Sequence, residues 1–355
     1  MTTRPQSLSL WEKVDLIPGQ LAVLGSVLYT AVTGIFRGES GAKEYALHIG
    51  NAAIRKMLDR FSVAQLQYLS GPTNSIYETS LNKKGHQPET VPLKHGAQGH
   101  WIGNKNAKNV IIYYHGGGFA LACAPGHITF YNTLINTLNA EGHDIALFLL
   151  TYTLTPHAVY PTQLRQAVEA LRYILTDTHR DPSTVIVGGD SAGGNLALAV
   201  LLHLSHPHPE ITPLGDIAPL AGVFAFAPWV SFAHEGVSMR ENRGKDVIGA
   251  EVLDSWSTVY LGEQGTEGDA WSEPNRAPGE WWRGAKVKEV LFLAGRDEVL
   301  FDRIDAFVEK FRAVVPNTTY VVAHGETHVA PVYGASFLRE TQQGSGLREW
   351  LRSRL

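Results

Sequence analysis

Thr184-Val185-Ile186-Val187-Gly188-Gly189-Asp190-Ser191-Ala192-Gly193-Gly194-Asn195 is the stretch that decides the fold. An apolar, β-branched run stops at small residues. Leu196, Ala199 and Val200 then continue with the i, i+3, i+4 spacing of a helix face, so the segment reads as strand, sharp turn, helix. Within it Gly189-x-Ser191-x-Gly193 has the form of a nucleophile elbow. Small residues flank a serine that the turn lifts clear of the backbone at the start of a helix. A phosphate-binding loop is the other use of such a turn, but no Gly-Lys-Ser/Thr follows and no Gly-x-Gly-x-x-Gly opens the first helix.

The same rhythm extends in both directions. Short apolar runs at Val110 to Tyr114, Ile145 to Leu150, Thr184 to Val187, Gly222 to Ala227, Val290 to Ala294 and Thr319 to Ala323 are expected strands. Helical patterns at Gln163 to Thr176, Ala192 to Leu204 and Asp302 to Val314 alternate with them. Strand and helix in succession predict an α/β fold whose mainly parallel central sheet is covered on both faces. Two regions break the pattern: residues 1–90, and 206–284, where Pro, Gly, His and Trp cluster around one core strand. Both are expected to form a cap or lid over the core of 91–205 and 285–355, at the C-terminal strand ends where ligands bind in such folds.

Composition narrows the function. The 355 residues are 44% hydrophobic and 18% charged, which describes a folded globular chain. Thirty Lys and Arg against 34 Asp and Glu give a net charge of −4 without a dense basic run, so no nucleic acid partner is expected. The single cysteine, Cys123, leaves no intramolecular disulfide, no cysteine-based zinc site and no Cys-x-x-Cys redox pair. His203, His206 and His208 are interrupted by Pro207, and no His-Glu-x-x-His pattern occurs, so no metal site is expected.

A serine nucleophile needs three kinds of partner. The first stabilises the oxyanion that forms when a carbonyl is attacked. Val110 to Tyr114 leads into His115-Gly116-Gly117-Gly118-Phe119, and the backbone N–H groups of Gly117 and Gly118, with that of Ala192, are the expected donors. Each such donor contributes roughly 3 to 4 kcal/mol to the transition state. His115 is expected to brace this loop and not to move protons. The second partner is a base. Of 15 histidines, only His324 and His328 follow the last expected strand, and His328, three residues past Gly325, has the reach towards Ser191. The third is an acid to hold the base. Gly295-Arg296-Asp297 follows the strand at Val290, making Asp297 the leading acid, with Glu298 and Asp302 as rivals. Phe119 and Trp229 are candidate substrate contacts.

With these motifs in place the chain resembles the hormone-sensitive-lipase-type branch of the α/β-hydrolases. The resemblance rests on His115-Gly116-Gly117-Gly118-Phe119, Gly189-Asp190-Ser191-Ala192-Gly193-Gly194, Gly295-Arg296-Asp297 and Gly325-x-x-His328. Tyr152-x-Leu154-x-Pro156 and Pro228-Trp229 add to it, over residues 108–333. His157 and Tyr160 depart from the residues usual after that proline, and no substrate contact is assigned there. Residues 1–90 resemble the beginnings of fungal members, some of natural-product pathways. The resemblance implies an α/β-hydrolase sheet, a lid from the N-terminus and a later insertion, and hydrolysis of carboxylic esters without a cofactor. Separately, the aromatic residues of the lid regions, among them Phe226, Trp229, Trp256 and Tyr260, suggest a small ester with an apolar or ring-containing group. The same Ser-His-Asp chemistry would serve an acyltransferase, lactonase or cyclase, and the fold could also carry a non-catalytic ligand-binding protein.

The ends of the chain carry possible addresses. Leu21 to Ile35 is apolar, but Pro18-Gly19-Gln20 interrupts the longer run and leaves it short of a membrane span. A buried or lid-forming helix is expected, with contact to a membrane surface as the alternative. Ser353-Arg354-Leu355 is similar to a peroxisomal address, against the cytoplasmic placement expected from the lack of a secretory signal and of disulfides.

Overall fold

The computed structural model of the chain describes residues 7–233, 235–262, 267–334 and 340–355. Eight strands form one sheet: β1 (Glu89–Pro92), β2 (Gln98–Ile102), β3 (Asn109–Tyr114), β4 (Ile145–Thr151), β5 (Val185–Asp190), β6 (Gly222–Phe226), β7 (Val290–Gly295) and β8 (Thr318–Ala323). Their order is β1-β2-β4-β3-β5-β6-β7-β8. β1 and β2 pair antiparallel and β2 runs antiparallel to β4, while every pair from β4 across to β8 is parallel.

Side-chain alternation explains the two layers around the sheet. Along β3, Ile111 and Tyr113 pack on one face and Val110, Ile112 and Tyr114 on the other, and all five are buried. Helices α5 (Pro125–Ala140) and α12 (Gln342–Arg352) cover the first face. Helices α6 (Thr162–Thr176), α7 (Ala192–Ser205) and α10 (Phe301–Arg312) cover the second, and α7 is buried from Ala192 to Leu204.

The six expected strands are present, and β5 extends further than the apolar run implied. Gly188 and Gly189 stay in register with Tyr113 and Tyr114 of β3, and with Phe224 and Ala225 of β6. A Cβ on Gly188 would lie 2.1 Å from the Phe224 ring, so a glycine lets the neighbouring side chain cross the strand. β1 and β2 were not legible. They are short and partly polar, and they exist by pairing onto the edge of β4.

Residues 10–82 fold as α1 (Leu10–Thr33), α2 (Tyr45–Arg60), α3 (Val63–Ser70) and α4 (Thr73–Asn82). After β6 come α8 (Val237–Glu241) and α9 (Ala250–Leu261), and α9 packs against α2. The expected break in the first helix is absent: α1 runs through Pro18. Packing outweighs the local signal there, because Gly19 sits so close to Phe61 that a Cβ would fall 2.2 Å from its ring. Ser9 begins the helix with a capping box, accepting from Glu12 N at 3.2 Å while the Glu12 carboxylate accepts from Ser9 N at 2.8 Å. The result is 24 residues, long and apolar enough to cross a membrane.

Candidate active site

Ser191 occupies the junction of β5 and α7 with φ 53° and ψ −118°, a backbone state that a residue with a side chain adopts only under constraint. The constraint is visible. Ser191 N donates to Phe226 O at 2.8 Å and Trp229 N donates to Ser191 O at 3.0 Å, tying the turn to the end of β6. The flanking glycines are required by space: a Cβ on Gly189 would meet Gly193 O at 2.2 Å, and one on Gly193 would meet Tyr114 O at 1.9 Å. Asn195, one turn into α7, donates to Trp229 O at 2.9 Å and Ser272 O at 2.7 Å, and so fixes the same segment.

The glycine loop is held against this elbow by Asp190. Its buried carboxylate accepts from Gly116 N at 2.8 Å, from His127 Nε2 at 3.1 Å and from the Tyr113 hydroxyl. Burial opposes charge on both members of the Asp190–His127 pair. Their mutual attraction outweighs it, lowering the Asp190 pKa and raising that of His127. Beyond Gly116, the chain turns with φ 106° at Gly117 and 59° at Gly118, and a Cβ on Gly118 would lie 1.9 Å from the Trp256 ring. Among the described residues, neither Gly117 N nor Gly118 N has a hydrogen-bond acceptor. Both glycines line the same cavity as Ser191. His115 behaves as a brace: Nδ1 donates to Gly116 O at 2.7 Å, its ring stacks on Tyr152 at 4.5 Å, and burial lowers its pKa to about 4, which keeps it neutral.

The acid is where the structure departs from the sequence reading. His328 Nδ1 donates to Glu298 Oε2 at 2.8 Å, not to Asp297. Glu298 is fully buried, and its other oxygen accepts from Gly295 N at 2.7 Å. Asp297 points away to Lys245 Nζ, 3.3 Å distant and near the surface. Asp302 accepts from Ser238 N at 2.7 Å at the start of α10, so it is also not the partner. Neighbouring residues in a turn project in different directions, and only the folded turn after β7 shows which carboxylate faces inward. Here Asn242 secures that turn by donating to Arg296 O at 3.0 Å and Glu298 O at 2.9 Å.

Asp246, in the segment before α9, was not singled out and has no motif to mark it. Its buried carboxylate accepts from His328 N at 3.0 Å, Val247 N at 2.8 Å and Val299 N at 2.7 Å, joining the segment before α9 to the loops that carry His328 and Glu298. Burial would lower the His328 pKa, but the hydrogen bond and charge of Glu298, with Asp246 behind, raise it above the ordinary histidine value. Burial raises the pKa values of Glu298 and Asp246.

Ser191 and His328 open onto a cavity of about 480 Å³. Ile54, Met57 and Leu58 of α2, Leu66 of α3, Leu253 and Trp256 of α9, and Trp229 after β6 line it. Phe119 is not on the wall: it stacks on Tyr260 at 3.8 Å behind the glycine loop, fully buried, so its role as a substrate contact is withdrawn. The N-terminal helices also brace the site directly. Gln67 of α3 donates to Ala120 O at 2.7 Å and Thr155 O at 2.8 Å, and Asn51 of α2 to Thr327 Oγ1 at 3.2 Å, next to His328.

The chain belongs to the α/β-hydrolase fold family, whose model matches residues 111–332. It is 33% identical over 129 residues to steryl acetyl hydrolase 1 of Saccharomyces cerevisiae, covering 36% of this chain and 28% of that one. It is 41% identical over 98 residues to neutral cholesterol ester hydrolase 1 of Bos taurus, covering 26% and 23%. An acetyl-hydrolase of Streptomyces hygroscopicus is 29% identical over 192 residues, covering 54% and 58%. The chain thus spans less than two thirds of the length of these relatives. They bear out the resemblance to the hormone-sensitive-lipase-type branch. Among solved structures, an esterase from Pseudomonas putida matches the fold with TM-score 0.70 at 20% identity, over 89% of this chain and 98% of that one. Carboxyl esterase 2 from Tuber melanosporum matches with TM-score 0.61 at 20% identity, over 75% and 84%.

Proposed function

We propose that the protein hydrolyses carboxylic esters through a covalent acyl-enzyme, with Ser191 as nucleophile, His328 as base and Glu298 as the acid that orients it. The observation that carries this is the buried His328–Glu298 hydrogen bond on the cavity that also holds Ser191. With Nδ1–H committed to Glu298, Nε2 is the ring nitrogen free to accept the Ser191 proton. Ser191 Oγ bonds to the ester carbonyl carbon, and the N–H groups of Gly117, Gly118 and Ala192 stabilise the oxyanion. The C–O bond to the alcohol then breaks as His328 returns the proton to the leaving oxygen. Water repeats the sequence on the acyl-enzyme, giving its proton to His328 and releasing the acid and free Ser191.

The substrate carries a bulky apolar group. The cavity wall is almost wholly aliphatic and aromatic, and the relatives named for steryl acetates, cholesterol esters and acetyl groups agree with an apolar alcohol joined to an acyl chain. Fluorophosphonate labelling with peptide mapping, combined with turnover of p-nitrophenyl esters from two to twelve acyl carbons, tests the proposal. Labelling at Ser191 with turnover that Ser191→Ala abolishes is expected. Labelling without hydrolysis would point to another acyl acceptor, and no labelling would overturn the catalytic reading.

A further inference from the structure

Helix α1 presents to solvent what a soluble helix normally turns inward. Val14, Ile17, Leu21, Leu24, Leu28 and Val32 follow one another at steps of three or four residues, which places them within one narrow stripe along the helix. All six are exposed, Leu21 at 62% and Leu28 at 60%. The opposite side is the packed one: Gly19 lies on Phe61, Thr30 is buried, and Val23 is half-buried against the core. The helix therefore has no polar face, and residues 16–36 contain no charged side chain.

We propose that this stripe docks in the plane of a lipid surface. Two features favour lipid over a second copy of the chain or another protein. A heptad-like seam in a soluble coiled coil is flanked by charges along its length that select the partner, whereas beyond Lys13 in the first turn the stripe of α1 is flanked by Gln20, Ala22, Gly25 and Ala31. Large exposed aromatic side chains stand towards its ends: Trp11 at 81% exposure, whose amphipathic ring suits the headgroup boundary, and Phe36 at 87%, which adds purely apolar surface. The in-plane orientation follows from how α1 is held. Arg60 of α2 bonds both oxygens of Asp15, at 2.9 Å to Oδ2 and 2.6 Å to Oδ1, and Gln65 of α3 donates to Glu12 O at 3.0 Å. A membrane-crossing α1 would have to break these contacts and expose Phe61. Docked flat, the helix of about 36 Å lies outside the α2 that lines the cavity with Ile54, Met57 and Leu58. The cap that covers the cavity is then also the part of the protein nearest to lipid.

The test compares the full chain with the triple variant Leu21→Glu, Leu24→Glu, Leu28→Glu in sedimentation with phosphatidylcholine vesicles, with and without 20% phosphatidylserine. The wild type is expected to sediment with both, insensitive to 0.5 M NaCl because no basic cluster takes part, and to be released by alkaline carbonate. The variant is expected to partition at least tenfold less while hydrolysing a short, soluble p-nitrophenyl ester at the wild-type rate, which shows that it is folded. Wild type that stays in the supernatant overturns the proposal. So does a light-scattering mass showing a wild-type dimer that the substitutions dissociate without any vesicle binding, and so does resistance to carbonate, which would mean a spanning helix. Because vesicle binding is read without turnover, its failure is distinct from a failure of the hydrolase assignment.

Discussion

Replacing Glu298 by Gln, beside Asp297 by Asn, separates the two adjacent carboxylates. In the wild type one Glu298 oxygen accepts from Gly295 N at 2.7 Å and the other from His328 Nδ1 at 2.8 Å, both buried. A glutamine has one acceptor oxygen, and Gly295 N–H demands it. The amide NH2 is then left facing His328 Nδ1, which must accept, so the imidazole proton moves to Nε2, the atom that has to receive the Ser191 proton. The carboxylate that would stabilise the imidazolium is lost as well. In serine proteases the equivalent wrong-tautomer change lowers kcat by about 10⁴, or about 5.5 kcal/mol at roughly 1.4 kcal/mol per decade, and a loss of about 10³ to 10⁴ is expected here. Among the described residues, the Asp297 carboxylate pairs with Lys245 alone, at 3.3 Å and partly open to solvent. A pair of that kind contributes about 0 to 1 kcal/mol, so Asp297→Asn should stay within about fivefold of wild type. Steady-state kcat/KM on p-nitrophenyl butyrate, with circular dichroism to confirm folding, measures both. Glu298→Gln retaining a tenth of the activity, with Asp297→Asn losing a thousandfold, would refute the reasoning.

Other consequences are open to simple assays. His328 must be neutral to accept a proton and its pKa is raised, so kcat/KM should fall as the pH drops through a midpoint above the ordinary histidine value of about 6.5; a midpoint below 6 between pH 5 and 9 would contradict this. His127→Ala leaves the buried Asp190 carboxylate without its counter-charge, and a loss of about 3 to 5 kcal/mol in urea unfolding is expected. A loss below 1 kcal/mol would mean that Tyr113 and Gly116 suffice. Gly118→Ala must hold a side chain at φ 59° and 1.9 Å from Trp256, so kcat on the same ester should drop at least a hundredfold through displacement of the oxyanion loop.

Which parts of this protein are legible without coordinates depends on whether local rules govern them. The elbow at Ser191 is legible because the tight turn admits only glycine at 189 and 193, for the Cβ reasons seen in the fold. Strands β3 to β7 are legible because they are buried on both faces and mostly apolar, whereas β8, half-buried at the sheet edge and opening on two threonines, is legible from its Tyr320-Val321-Val322-Ala323 run. His328 is found from chain order. By contrast, β1 and β2 depend on pairing with β4, and α1 ignores its own proline because Gly19 and Phe61 interlock across the fold.

By itself, then, the sequence determined the six strands from β3 to β8, the turn at Ser191, the glycine loop and the position of His328, since each rests on a short local pattern or on chain order. Tertiary structure alone decided between Asp297 and Glu298, placed Phe119 behind the cavity instead of in it, and brought Asp246, His127 and Gln67 to the site from distant segments. The physical reason is common to all of these. Side-chain direction in a turn, and contact between residues far apart in the chain, are set by how the cap helices close over the sheet, and no local pattern records that closure.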